Sequence, residues 1–254
     1  MAIRFASLGS GSKGNGTLVE SGDTCLLVDC GFSVRDTERR LARLGRVGGD
    51  LSAILVTHEH GDHGRGVAAL ARKYGLPVYL TAGTLRGLQS SPPPAPRIVS
   101  GEERFAVGGI TVTPVTVPHD AREPVQFLFA AGGRRIGVLT DLGCITPHVV
   151  DSFNGCDGLL LEANHDIDLL SAGPYPQALK RRVAGDWGHL NNGQAAELLH
   201  AVERRCLQVL VLGHISQQNN AVHLVAQAMD PLRHDFHQVH YACQDQGFDW
   251  HRID

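Results

Sequence analysis

The chain contains no apolar run approaching the 18 or more residues that a membrane-crossing helix needs, so the sequence offers no transmembrane segment. Its start, MAIRFASLGSGS, has no basic stretch followed by a long apolar core, so no secretory signal is read there and a cytoplasmic location is expected. The six cysteines (25, 30, 144, 156, 206 and 243) form no C-x-x-C pair, which argues for scattered, reduced thiols rather than a disulfide framework. Charge of one sign is not in excess: the formal net charge is −3, so no global basic field announces a polyanion. That balance does not exclude one either, since two bound divalent ions would bring the total to about +1. No internal repeat is visible, and no charge run exceeds three residues.

What is present is an ordinary globular composition, 43% apolar over 254 residues, arranged as short apolar runs alternating with amphipathic stretches. Strands are expected at 3–8, 17–20, 25–29, 53–57, 78–80, 110–117, 126–131, 135–140, 159–162, 209–212, 235–241 and 248–253. Ala131-Gly132-Gly133 is a hairpin signal between two of them. Helices are expected at 34–44, 66–74, 146–153, 194–202 and 221–228, the fourth capped by Asn191 or Asn192 and the fifth by Asn219 or Asn220. Ser91–Pro96 (SPPPAP) reads as a stiff surface loop. Strands interspersed with helices throughout favour one α/β domain spanning 1–254.

The composition has one excess. Fourteen histidines are more than twice the roughly 2% share such a chain ordinarily carries. Three of them, and one aspartate, fall where apolar runs end: AILVT leads to His58, TVTPVTVP to His119, RIGVLT to Asp141 and QVLVLG to His214. Strands buried between helix layers cannot hold polar ligands in their middles without cost, whereas their C-terminal ends open onto the crevice where ligands bind. Four runs obeying this rule point to one shared site.

The densest signal is His58-Glu59-His60-Gly61-Asp62-His63, with four ligand-type side chains in six residues. An i, i+2 histidine pair on extended backbone can converge on one ion, leaving Asp62 and His63 to face a neighbouring one. Imidazole with carboxylate suits Zn²⁺, and Mn²⁺ or Fe²⁺ where oxygen ligands are more numerous. The bland alternative is a polar surface loop that happens to hold three histidines.

The H-x-H-x-D-H string resembles the signature of the metallo-β-lactamase superfamily. Leu26-Leu27-Val28-Asp29-Cys30-Gly31 is similar to that family's strand ending in a structural Asp-x-Gly, and His119, Asp141 and His214 follow in the family's order. The resemblance implies an α/β (α+β layered) fold, the four-layer αββα sandwich of two mixed sheets with outer helices. It implies two divalent ions, Zn²⁺ or Mn²⁺: one held by His58, His60 and His119, the other by Asp62, His63 and His214, with Asp141 bridging. Further segments resemble the YycJ-like (WalJ-like) branch: Ser7–Asn15, Leu161–Asp166, Gly173–Pro176, Gly188–Asn192, and Leu212–Ser216 with Asn219-Asn220. Together they run from about residue 5 to about 220. Lys13 and Gln217-Gln218 depart from the branch, both toward more positive local charge. The branch implies metal-dependent 5′→3′ exonuclease activity on DNA, with single strands as substrate and a role in repair.

Two ions lower the pKa of a water they share, so that at neutral pH it can attack a phosphodiester in line. Asp62 is then expected to ligate and to orient that nucleophile, while a non-ligand histidine protonates the departing sugar oxygen. His189 is the candidate, against the alternative of a histidine that merely caps the following helix. Ser12, Lys13 and Asn15 of the Gly/Ser-rich loop and His165 are candidate phosphate contacts, as is His189 itself. For His165 the alternative is a buried, hydrogen-bonded histidine. Glu162 is a candidate for orienting a histidine. Lys180-Arg181-Arg182 could track a nucleic-acid backbone or simply form a solvated face. Two other functional classes stay open from sequence: a small-molecule hydrolase (a cyclic phosphodiesterase or a glyoxalase-II-like thioesterase) and a metal-loaded scaffold without turnover.

Overall fold

In the computed structural model, which describes residues 2–254 with the side chains of 233 and 234 aside, fourteen strands form two seven-stranded sheets. The first sheet holds β1 (Ile3–Gly9), β2 (Gly16–Ser21), β3 (Thr24–Val28), β4 (Ala53–Leu55), β5 (Val78–Leu80) and β6 (Pro96–Ile98) in that order. A final strand, β14 (Phe248–Ile253), pairs outside β1. The second sheet runs from β7 (Phe105–Val107) through β8 (Ile110–Thr116), β9 (Val125–Ala131), β10 (Arg134–Leu139), β11 (Gly158–Glu162) and β12 (Val209–Gly213) to β13 (Gln238–Tyr241). Strands β3 to β6 are mutually parallel, as are β10 to β13, and β8 shares the direction of β10 because both pair antiparallel with β9. The chain ends of β8, β10, β11 and β12 therefore open at one edge of the second sheet.

The two-residue alternation of the strands sorts their side chains into layers. Leu26 and Val28 of β3, Leu160 of β11, and Val209 and Val211 of β12 point into the core between the sheets, with Phe5, Phe127 and Phe129. Their neighbours point outward under helices: Cys25 and Leu27 on one side, Leu159, Leu161, Leu210 and Leu212 on the other. Burial on both faces is why these strands read as unbroken apolar runs. Helices α1 (Val34–Arg43) and α3 (Val67–Tyr74) cover the first sheet; α5 (Pro147–Phe153), α8 (Asn192–Ala201) and α9 (Val222–Met229) cover the second. This is the expected four-layer αββα sandwich. Shorter helices, α2 (Gly61–Gly64), α4 (Ala82–Gly87), α6 (Ile167–Ala172) and α7 (Gln177–Val183), lie near the crevice or at the rim.

Caps fix the helix starts. Ser33 accepts from Asp36 N to begin α1, Thr146 accepts from Val149 N ahead of Pro147, and Asn191 closes a reciprocal capping box with Gln194. The sequence predicts Asn219 or Asn220 as the cap of α9, but its N-cap is Ala221, which makes no side-chain cap bond. Asn220 instead ties strand to helix, donating to Ala163 O and to Asn192 Oδ1. The loop at 91–96 ends one residue early, because Pro96 opens β6. A proline is tolerated as the first residue of an edge strand. Of the strand expected at 235–241, only Gln238–Tyr241 forms, after a 3₁₀ turn over Asp230–Asp235. No described helix is long and apolar enough to cross a membrane.

Candidate metal centre

Each strand that ends at the crevice delivers a polar side chain there, and three of them do so on strained backbone. Asp29 after β3, Asp141 after β10 and His214 after β12 have φ of 60°, 55° and 53°, in the left-handed region that non-glycine residues avoid. Such positions cost on the order of 1–3 kcal/mol each and persist where the surroundings hold them. Two residues separate β4 from His58, and the chain then turns through α2, whose four residues carry Asp62 and His63.

The seven expected ligands converge. His58 Nε2 lies 3.0 Å from His60 Nδ1, and His119 Nε2 lies 3.3 Å from the same atom. Asp141 Oδ2 lies 3.1 Å from His63 Nε2 and 3.3 Å from His214 Nδ1, while Asp62 Oδ2 is 3.5 Å from His63 Nε2. Asp141 Oδ1 reaches toward the first group, 4.0 Å from His119 Nε2. The carboxylate thus stands between two clusters, one of His58, His60 and His119, the other of His63, His214 and Asp62.

The nitrogens facing away from the clusters are pinned. His58 Nδ1 meets Thr57 Oγ1 at 2.9 Å, His119 Nδ1 meets Gly188 O at 3.0 Å, and His63 Nδ1 meets Asp29 Oδ2 at 2.8 Å. Asp29 accepts in addition from Thr57 N and Thr57 Oγ1, each at 2.8 Å. Partners of this kind fix ring orientation and raise the basicity of the inward nitrogen.

The residues present fit divalent cations. Asp141 Oδ2 and His214 Nδ1 are buried and have no hydrogen-bond partner, which native interiors rarely tolerate unless another ligand is meant to be there. Burial and the other imidazoles keep His58 well below its ordinary pKa. Burial likewise lowers His119, so both are neutral and able to coordinate. His63 goes the other way: burial opposes its charge, but Asp141, Asp29 and Asp62 together hold it well above the usual imidazole value. Three carboxylates converging on one buried ring mark a cage short of positive charge. Burial pushes the Asp141 carboxyl up, and His214 and His63 more than reverse this, holding it well below the usual range.

His189 stands beside the cage and outside the expected ligand set. Its Nδ1 is 2.8 Å from Glu162 Oε2 and 3.5 Å from Asp141 Oδ1. Burial works against its charge, but Glu162, then Asp141 and Asp62, raise it to about 9. Glu162 is fully buried at the end of β11 and uses both oxygens twice, accepting from Asp141 N, Leu142 N, Leu190 N and His189. One carboxylate therefore fixes both the Asp141 turn and the His189 loop.

The centre opens into a cleft of about 350 Å³ lined by Ser12, Asp62, Tyr175, Arg182, His189 and Ser216 among others. Of the candidate phosphate contacts, Ser12 and His189 line it. Lys13 does not; its side chain is exposed and its backbone N–H is taken by Gln244 Oε1. Asn15 is buried and braces the site from behind, its amide 3.0 Å from His63 Nε2 and 3.4 Å from Asp62 Oδ2. His165 sits behind the cleft and faces another cavity. Sequence reasoning passed over Asp120, whose Oδ1 is 3.5 Å from His119 Nε2 and whose other oxygen holds Arg182 at the cleft wall. Its place directly after His119 was the available signal.

Comparisons with known proteins agree with this geometry. A family model described as "Beta-lactamase superfamily domain" matches residues 24–215. The chain is 34% identical over 235 residues to the exodeoxyribonuclease WalJ of Streptococcus pneumoniae serotype 2 (strain D39 / NCTC 7466), covering 90% of this chain and 87% of that one. It is 35% identical over 236 residues to the exodeoxyribonuclease YycJ of Bacillus anthracis, covering 91% and 89%. Among solved structures, the metallo-β-lactamase fold protein YhfI from Bacillus subtilis superposes with a TM-score of 0.73 over 99% of this chain and 100% of that one. At 18% identity, that likeness speaks for the fold alone.

Proposed function

The chain belongs to the β-lactamase superfamily and, within it, to the family of the WalJ and YycJ exodeoxyribonucleases, and from that premise we propose that it is a two-metal phosphodiesterase degrading single-stranded DNA from a 5′ end. The observation that carries the reading is the cage itself: buried and half-buried imidazoles and carboxylates in two clusters about Asp141, with His189 poised beside them on Glu162. We read residues 1–254 as one domain and place the protein in the cytoplasm, where its substrate would be.

His58, His60 and His119 would hold one divalent ion and Asp62, His63 and His214 the other, with Asp141 between; Zn²⁺ and Mn²⁺ both suit this donor set. Bound there, the pair would supply Lewis acidity toward the non-bridging phosphate oxygens and a water acidic enough to be nucleophilic near neutral pH. The chain's own residues do the rest. Asp62, on the cleft wall beside His63, orients the attacking water. Glu162 occupies Nδ1 of His189 and keeps the ring protonated, leaving Nε2 free to hand its proton to the sugar oxygen as the P–O bond breaks. Cations beside Asp141 and Asp62 would neutralise those residues' share of the effect on His189, and Glu162's share would remain. Arg182 and Ser12 line the cleft where the rest of the phosphodiester would lie.

The test is a substrate panel on metal-loaded protein. Shortening of 5′-phosphorylated single strands with Mn²⁺, lost in His60→Ala and Asp141→Ala, is the expected result. Turnover of a cyclic phosphodiester or a thioester with DNA left intact would replace the nuclease reading by a small-molecule one, and two bound ions with no ester cleaved would leave a scaffold.

A further inference from the structure

Helix α7 is a partition. Leu179, Arg182 and Val183 line the metal cleft, whereas Gln177, Lys180 and Arg181 line a second cavity of about 410 Å³ on its other side. The helix buries none of its seven residues, so the hydrophobic core does not account for its position. Its attachments are polar: Lys180 Nζ donates to Ser171 O at 2.5 Å, Arg182 to Asp120, and His189 N to Val183 O at 2.9 Å.

The inner wall of the second cavity is His165, which is 1% exposed. Its backbone is fixed, the carbonyl accepting from Asn192 N at 3.0 Å, yet its imidazole makes no hydrogen bond to any described residue, and Nδ1 is buried without a partner. A buried polar group left unsatisfied in this way is destabilising. Burial pushes His165 down to about 4, so at neutral pH it offers one N–H and one lone pair. The cavity lining also carries Lys180 and Arg181 and no carboxylate, and neither cation forms an ion pair with a described residue, unlike Arg182 next to them. The nearby Asp166 carboxylate is occupied in capping α6. No phenyl, phenol or indole ring lines the cavity to stack a base.

We propose that this cavity is a second phosphate site, taking a backbone phosphate of the same strand whose scissile bond lies in the metal cleft. The proposal rests on the nuclease reading for the identity of the strand, but not for the anion site itself. His165 donates from the inner end while Lys180 and Arg181 neutralise the charge at the mouth. The two sites are separated by one helix, ~10–12 Å across, which is about three nucleotides at the ~3.4 Å rise of a stacked strand. A dinucleotide could not reach both; a hexanucleotide could.

Two measurements on metal-loaded protein test this. In the first, 5′-phosphorylated single strands of two and six nucleotides are compared. The hexamer should be favoured about tenfold or more through KM, as expected for charged hydrogen bonds to one phosphate. That preference should fall to within about twofold in His165→Asn and in Lys180→Ala/Arg181→Ala, while bis(p-nitrophenyl) phosphate, too small to span α7, is cleaved as before. A length preference that survives both variants, or equal slowing of the small ester, would overturn the proposal. In the second, the His165 ring resonances are followed as inorganic phosphate is added. A saturable shift that disappears in Lys180→Ala/Arg181→Ala supports the site even if no DNA is cleaved, in which case the nuclease reading alone falls. A ring that does not respond overturns the site whatever the substrate.

Discussion

Asp29 carries more of the site than a residue outside the candidate ligand set would suggest. Both of its oxygens act as acceptors, from Thr57 N and Oγ1 and from His63 Nδ1, so an amide in its place must turn its NH₂ toward one of these donors. Asp29→Asn should therefore keep the fold but weaken the ion at His63 about 10–100-fold, the usual effect of losing such a partner. Competition with a graded chelator, read as the second equivalent of metal per chain, checks this. His189→Ala should retain both equivalents and lose about 10²–10⁴ in kcat for a sugar leaving group. An activated nitrophenyl ester, which needs no protonation, should be nearly unaffected, so the ratio of the two rates tests the proposal that His189 donates the proton. The convergence of the candidate ligands was legible because the sequence places most of them where apolar runs stop. Their supports were less so. Thr57 and the Gly188 carbonyl are chemically unremarkable, and nothing local to Asn15 tells a loop that brushes phosphate from one that braces His63.

At the scale of elements, periodicity located the strands buried on both faces and the helices long enough to show a stripe. It missed β6, β7, α2, α4, α6 and α7, which have three to seven residues and too few turns or alternations to establish a period. The α6 and α7 pair was hidden further by Gly173-Pro174-Tyr175-Pro176, which reads locally as a turn and in the molecule is the link between them. Helix α7 is therefore the element for which sequence gives least notice, although it forms a wall of the cleft. The β9–β10 hairpin is the opposite case. Gly132 and Gly133, at φ of 59° and 79°, supply the two left-handed residues that a tight two-residue turn needs. A Cβ on Gly133 would meet nothing within 4 Å, so Gly133→Ala tests backbone strain alone. It should cost about 1–2 kcal/mol, a fall of about 2–8 °C in the thermal midpoint for a domain of this size.

Across the whole molecule, the cage joins the two sheets. Asp29 and His58 come from loops of the first sheet and His63 from α2 just beyond; His119, Asp141 and His214 follow strands of the second. Ser10 adds a direct tie, its hydroxyl accepting from His214 N at 2.8 Å. Without cations, the site must hold orphaned polar atoms and three carboxylates around one buried imidazole. Ligand bound only by the native state stabilises by about 2.7 kcal/mol at a hundredfold excess over Kd. Stripping the metal should then lower the thermal midpoint by about 5–10 °C, and Zn²⁺ or Mn²⁺ should restore it in wild type but not in Asp141→Ala. The chemistry proposed for the site turns on a pair of cations. Anomalous diffraction from crystals of the zinc-loaded protein, collected at the zinc edge, tests it most directly. Two peaks are predicted, one among His58, His60 and His119 and one among Asp62, His63 and His214, with Asp141 touching both. A single peak elsewhere, or none at this cluster, would contradict the account.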